Sequence, residues 1–550
     1  MPNEKNNPVG LRKGRIGSVL ALLGIVAFLS ACSGGSDSGE CKTGLIDTTS
    51  GTVCGKVTEA AGHLVHAFLG IPFGESTAGE NRWQAPVSKV AASGVINATE
   101  FGPTCSQADN PPYTPPTGMS EDCLTLNIWR RANLPGRDPR PVMVWMYGGS
   151  FLSGGSSMPI YDGAYLAAKE DIVVVTFNYR LGALGFLAGI HRLNGNYGLM
   201  DQQLAFHWVR DNISNFGGDP EKITIFGESA GAMSVGLHLL SIPSSSGLFR
   251  AGIMQSNPFG IPYKTVDEAG LEAAMLESDL GCQGQELDCL RSVSAEDIVK
   301  AQQDTAIQTL SLLGLHLAGF LVWAPALDGT FLVQDPTVAA QEGMLTQPTI
   351  LGTNHDEGTL FVYEMASAFG GKISALTYLA ILSLIFGSEH TASIISLYGI
   401  DPDGDNAGYL SKIMSDYLFG CANRFVAREA RADAYTYEFT ETSINVWPDI
   451  PACEGEACHG DDLPFTFHTD RQIGIEFTQE QGRLSDGMVG YWGGFATALD
   501  PNGSVRLTWP LFTPDGREYL ILTTPELQTA VDPIPNCDFW DRIGYDLRPP

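Results

Sequence analysis

Gly227-Glu228-Ser229-Ala230-Gly231 places a serine between small residues. An alternating β-branched and apolar run, Ile223 to Phe226, precedes it, and an apolar run, Ala232 to Leu240, follows. The pattern G-x-S-x-G alone is weak, because glycine and serine are common. A strand before it and a helix after it give it physical meaning as a nucleophile elbow. The serine then sits in a sharp turn that only glycine-sized neighbours permit. It also stands at a helix N-terminus, where backbone N–H groups favour a developing negative charge.

A serine hydroxyl needs a positioned base to become a nucleophile. That base is usually a histidine oriented by a carboxylate, and on α/β-hydrolase scaffolds the chain order is Ser, Asp/Glu, His. Candidates stand where this order requires them. Upstream, Tyr147-Gly148-Gly149-Ser150 follows an apolar run and can offer the N–H groups of Gly149 and Ser150 as an oxyanion hole, with Ala230 as third donor. Downstream, Gly352-Thr-Asn-His-Asp-Glu-Gly358 offers two acids, Asp356 and Glu357. Cys458-His459-Gly460-Asp461-Asp462 offers a histidine in a tight loop. His63, His66, His207, His238 and His355 read as strand, helix or turn residues rather than as the base.

These groups must be held by strands and helices. Arg140 to Tyr147 and Asp171 to Asn178 are continuous apolar runs, as expected of parallel strands buried on both faces. Gly252 to Ser256 and Thr349 to Gly352 read as further short strands. Gly198 to Ile213 has helical periodicity. Gly55 to about Asn127 reads as an antiparallel lead-in broken by Gly and Pro. Strands alternating with helices predict an α/β fold with a parallel sheet. No linker stands out after residue 42, so residues 42–550 read as one large domain.

The chain has 550 residues, 44% of them hydrophobic, and a formal charge of −30. That charge argues against nucleic acid as a partner. Residues 1–31 read as a signal peptide, with a basic start (Lys5, Arg12, Lys13, Arg15) and a short apolar stretch from Ser18 to Phe28. Leu29-Ser30-Ala31-Cys32 resembles a bacterial lipobox, with Cys32 as the lipidated residue and 32–41 as a flexible tether. The expectation is an exported protein, lipid-anchored to a bacterial envelope membrane; the uncharged Ser33 resembles outer-membrane sorting. Ten cysteines remain after Cys32, and an even count outside the cytoplasm suggests disulfides. Short spacings favour Cys41–Cys54, Cys105–Cys123, Cys282–Cys289 and Cys453–Cys458, which leaves Cys421–Cys537. No C-x2-C pair marks a zinc site.

The chain after the tether resembles the type-B carboxylesterase (carboxylesterase/cholinesterase-like) family. The carriers are Ser120 to Asn127, Trp145 to Phe151, Asn178 to Gly182, Phe216 to Pro220, Gly227 to Gly231, Asp356-Glu357-Gly358 and His459-Gly460. Tyr491-Trp492 to Asn502 and Trp509-Pro510 match its C-terminal part. The resemblance implies an α/β-hydrolase fold with a large, mostly parallel central sheet flanked by helices. It implies a serine carboxylic-ester hydrolase without cofactor or metal, using Ser229, Glu357 and His459, with a small-molecule ester as partner. Glu228 and Ser256 match supporting residues around that triad. The family's pairing supports Cys105–Cys123 and Cys282–Cys289, and Cys421–Cys537 resembles a long-range pair of its cholinesterase branch. Two features depart from the pattern. Ser150 stands where glycine or alanine is usual, and the 105–123 loop has no tryptophan to match a choline site, Tyr113 being the nearest aromatic. The resemblance also places the apolar stretches 311–323 and 376–386 near the mouth of the active-site gorge, with Phe259 and Phe361 as candidate pocket walls. Hydrophobic or aromatic esters are then the expected substrates. A lipase or sterol esterase, a cholinesterase-like enzyme and a non-catalytic adhesion-type member are the alternatives. The oligomeric state is not expressed in the sequence.

Overall fold

Uninterrupted runs of β-branched and aromatic residues can satisfy their backbone only inside a sheet, and burial on both faces suits parallel pairing. The computed structural model describes residues 41–109, 115–132, 139–312, 321–444, 446–503 and 507–545. The expected signal peptide, Cys32 and nearly all of the tether lie outside the described residues, as do Tyr113 and much of 311–323. An 11-stranded sheet crosses the molecule. In chain order its strands are β1 (Lys56–Ala60), β2 (His63–Pro72), β3 (Thr125–Arg131), β4 (Arg140–Met146), β5 (Val173–Phe177) and β6 (Gly218–Glu228). They continue as β7 (Ala251–Gln255), β8 (Thr349–Asn354), β9 (Ala434–Phe439), β10 (Glu518–Leu522) and β11 (Gln528–Val531).

The spatial order is β11-β10-β9-β8-β7-β6-β4-β5-β3-β2-β1. Pairing is parallel from β10 through to β5 and antiparallel at both margins. The antiparallel lead-in expected between Gly55 and Asn127 is therefore β1 to β3. Every residue of β5, β7, β8 and β9 is buried. Helices flank the sheet, among them α1 (Tyr197–Asn212), α2 (Ala230–Leu240) and α3 (Glu357–Ala368). This is the α/β-hydrolase architecture. Across one face of the sheet, Trp145 of β4 packs edge-on to Phe226 of β6 and to Phe467, with ring centroids 4.8 and 4.9 Å apart. Fully burying such side chains stabilises the fold by roughly 1.5–3 kcal/mol each.

Strand order reverses beside β4: the chain steps from β4 outward to β5, then returns to place β6 on the other flank. In parallel α/β sheets, the crevice beyond the strand C-termini at such a reversal is where ligands bind. The loops leaving β4, β6 and β8 open there, and these are the loops that carry Gly149, Ser229 and Glu357. The histidine loop follows β9. Five disulfides close the pairs Cys41–Cys54, Cys105–Cys123, Cys282–Cys289, Cys421–Cys537 and Cys453–Cys458. Among the described residues, no helix is long and apolar enough to cross a membrane; the apolar run from 376 falls in a helix, Ala375–Phe386.

Candidate active site

β6 ends at Glu228 and α2 begins at Ala230, so the whole reversal falls on Ser229. Its backbone takes φ 56° and ψ −125°. A side-chain-bearing residue held there costs about 1–3 kcal/mol, which the surrounding packing must offset. The serine N–H donates to the Gln255 carbonyl at 3.0 Å, tying the turn to β7, and its carbonyl accepts the first bond of α2 from Met233 at 2.8 Å. The flanking glycines are sterically required. A Cβ on Gly227 would fall 2.5 Å from the Gly231 carbonyl carbon, and one on Gly231 would overlap the Met146 carbonyl oxygen. Ala230 is buried at the start of α2, next to the serine.

The loop after β4 is a tight coil in which Gly149, Ser150 and Phe151 all have positive φ, at 104°, 56° and 59°. The N–H groups of Leu152 and Ser153 both donate to the Gly149 carbonyl, at 2.9 and 3.0 Å, and so close the coil. Gly148 packs on the elbow, where a Cβ would lie 2.7 Å from Glu228 Oε2. Gly149, Ser150 and Ser229 line one cavity of about 460 Å³.

At the end of β8 the two acids separate. Asp356 Oδ2 accepts the Ala457 N–H at 3.0 Å and so anchors the histidine loop. Glu357, the first residue of α3, is fully buried. Its Oε1 accepts the Asn354 N–H at 2.7 Å, and its Oε2 accepts the His459 Nδ1 proton at 2.5 Å. That bond keeps a proton on Nδ1 and leaves Nε2 on the Glu228 side of the ring. The histidine loop has its own fastenings. The Trp447 indole donates to the His459 carbonyl at 2.7 Å, and the Asn354 amide donates to the Cys458 carbonyl at 2.6 Å. The Cys453–Cys458 bridge sits directly before it.

His459 Nε2 lies 3.1 Å from Glu228 Oε1, but neither atom is aligned for a hydrogen bond among the described residues. The imidazole thus stands between two carboxylates. Burial would lower its pKa, but the charges of Glu228 and Glu357 more than offset this and raise it to about 9. Glu228 is pushed up to about 8, chiefly by burial, with Asp462 and Glu357 adding repulsion and His459 opposing it.

Two acids next in sequence to His459-Gly460 complete the buried shell; neither was assigned a role from sequence. Asp461 accepts the backbone N–H groups of Cys458 and Val446, at 2.8 and 3.2 Å, which pins the loop. Asp462 accepts from the Gln255 amide at 2.8 Å and the Tyr437 hydroxyl at 3.2 Å. Their signal in the sequence was an acidic pair inside an otherwise apolar stretch. Ser256 is buried in strained backbone (φ 54°), and its N–H donates to the Gly352 carbonyl at 2.7 Å. Its hydroxyl has no hydrogen-bond partner among the described residues. Phe361 lines the cavity, with its ring centroid 4.9 Å from that of His459. Phe259 instead packs in the core over Gly236 and is not among the described residues that line the cavity. Trp323, at the end of the 311–323 stretch expected near the gorge mouth, lines the cavity, and Leu360 and Trp447 add apolar walls that nothing in the sequence marked.

A buried carboxylate–imidazole pair, an elbow serine and a glycine coil share one cavity, an arrangement suited to acyl transfer. Comparison with known proteins agrees. The model of the carboxylesterase family matches residues 42–540. The cAMP-regulated D2 protein of Dictyostelium discoideum is 32% identical over 495 residues, covering 88% of this chain and 90% of that protein. The Crystal protein of the same organism is 32% identical over 511 residues, covering 90% of each. Among solved structures, a PNB esterase superposes with a TM-score of 0.77 at 32% identity, covering 91% of this chain and all of that one. This chain belongs to the carboxylesterase family and is a carboxylesterase on the α/β-hydrolase fold.

Proposed function

We propose that the protein cleaves hydrophobic or aromatic carboxylic esters through an acyl-enzyme on Ser229. Ser229 Oγ attacks the ester carbonyl while His459 Nε2 takes its proton. Glu357 holds the imidazole by its Nδ1–H and balances the charge that forms on the ring. The carbonyl oxygen, now negative, accepts N–H bonds from Gly149, Ser150 and Ala230; removing one such donor typically costs 100- to 1000-fold in rate. His459 then protonates the departing alkoxide. Water, deprotonated by the same nitrogen, releases the acid and restores the serine.

The observation that carries this reading is the 2.5 Å contact between His459 Nδ1 and Glu357 Oε2, beside the cavity lined by Ser229. Nε2 has no hydrogen-bond partner among the described residues, as is common before substrate is bound. Apolar and aromatic walls from Phe361, Trp323 and Trp447 support the substrate class. The lipobox-like Cys32 and the ten paired cysteines support export and lipid attachment as part of the same proposal.

Ser229→Ala is expected to lower kcat for a short-chain 4-nitrophenyl ester by at least about 1000-fold, with the fold intact by circular dichroism. Turnover within a few-fold of wild type would refute the serine assignment.

A further inference from the structure

Helix α3 begins at Glu357, and the residues that face the same way follow at the helical spacing of three, four and seven: Leu360, Phe361 and Glu364. Those three all line the active-site cavity. One stripe of one helix therefore supplies the acid behind His459, then two apolar wall residues, then a second carboxylate. Seven residues of helix separate the two acids by about 10 Å. Glu364 thus lines the cavity about two helical turns from the acid that holds His459.

The acidic lining residues are Glu228 and Glu364, and the basic one is His459, whose charge is balanced by the buried Glu357 behind it. Glu228 lies at its floor, 4% exposed, and Glu364 on its exposed outer part. Among the described residues that line it, no lysine or arginine is present, and the neutral polar lining comes from residues such as Gln302, Gln303 and Tyr161. Nothing described neutralises Glu364. Desolvation raises the pKa of its carboxyl. A carboxylate in that position attracts a positive group on the ligand and repels a negative one.

We propose that Glu364 is a specificity-determining residue: it makes the cavity favour esters whose chain ends in a cationic group over those ending in a carboxylate. The inference rests on the cavity's being the ester site proposed above. It concerns a subsite outward of Ser229 and leaves the acyl-transfer steps unchanged.

The experiment measures kcat/KM for three 4-nitrophenyl esters of matched length: hexanoate, 6-(trimethylammonio)hexanoate and the monoester of adipic acid. In the wild-type protein the cationic ester should be preferred to the anionic one. In Glu364→Gln the cationic-to-anionic ratio should fall about three- to ten-fold, the range expected for one partly solvated charge contact. Glu364→Asp should keep part of the preference, and raising the salt concentration should shrink it more in wild type than in Glu364→Gln. Steric or structural effects of the substitution would alter all three esters together and leave the ratio alone. An unchanged ratio in Glu364→Gln, or a wild-type preference for the anionic ester, overturns the inference. Failure of the wild type to turn over even the neutral hexanoate would count against the proposed ester hydrolysis itself, and so is distinguishable.

Discussion

At the scale of single residues, the unusual feature is an imidazole between two glutamates. Glu357 meets Nδ1 at 2.5 Å, and Glu228 approaches Nε2 at 3.1 Å. A base must be neutral to accept a proton, and both carboxylates favour its protonated form. This sets the sign of the pH dependence. With His459 raised to about 9, activity should climb with pH through the neutral range as the imidazolium loses its proton. Glu228→Gln removes the charge that Glu228, when ionised, adds to the stabilisation of the imidazolium. The pKa of His459 then falls, and the acid limb of the kcat/KM profile should move to lower pH by about one unit or more. A limb that stayed in place would show that Glu228 does not set the proton affinity of this histidine.

At the scale of elements, the elbow is a packing problem that glycine solves. Gly231 lies against the carbonyls of Met146 and Tyr147, both backbone atoms that cannot swing aside. Gly231→Ala should destabilise the protein by about 2 kcal/mol or more in chemical denaturation and also lower kcat, because the turn and Ser229 move together. Gly482, in the helix Gln479–Ala498, is the control: nothing lies within 4 Å of a Cβ there, so Gly482→Ala should be neutral or slightly stabilising. The elbow was legible from sequence because its constraint is local: strand, turn and helix occupy one continuous stretch. The same holds for the Gly149 coil. The choice between Asp356 and Glu357 was not local. The residues alone left it open, and the family resemblance pointed to Glu357; in space, Glu357 meets the imidazole while Asp356 holds the Ala457 N–H. Phe259 misled because a position next to a motif says nothing of which side of α2 a ring will pack against. Asp462 was passed over because its partners, Gln255 and Tyr437, come from two other strands far away in sequence.

At the scale of the whole molecule, the C-terminal margin of the sheet is held to the body by long-range ties. Cys421 and Cys537 are 116 residues apart, and near that bridge Arg424 pairs with Asp532, Asp538 and Asp541 at 2.8–2.9 Å. By chain entropy, a bridge that closes a long loop restricts the unfolded chain more than one that closes a short loop, such as Cys453–Cys458 at a separation of 5. Removing Cys421–Cys537 with paired serines should therefore cost about 2–5 kcal/mol of global stability, and removing Cys453–Cys458 distinctly less. Thermal unfolding of the two double variants ranks them; equal losses would mean that native-state contacts, and not loop length, set the value of each bridge.

The stripe on α3 carries a consequence for how such an enzyme can change over time. On the proposed reading, chemistry and preference fall on successive turns of one rod: Glu357 at the buried end, Leu360 and Phe361 in between, Glu364 further out. Drift on the outer turn can redirect which esters are taken while the inner turn stays under constraint. A lineage built on this helix can therefore explore new substrates in single steps, each leaving the hydrolytic core in working order.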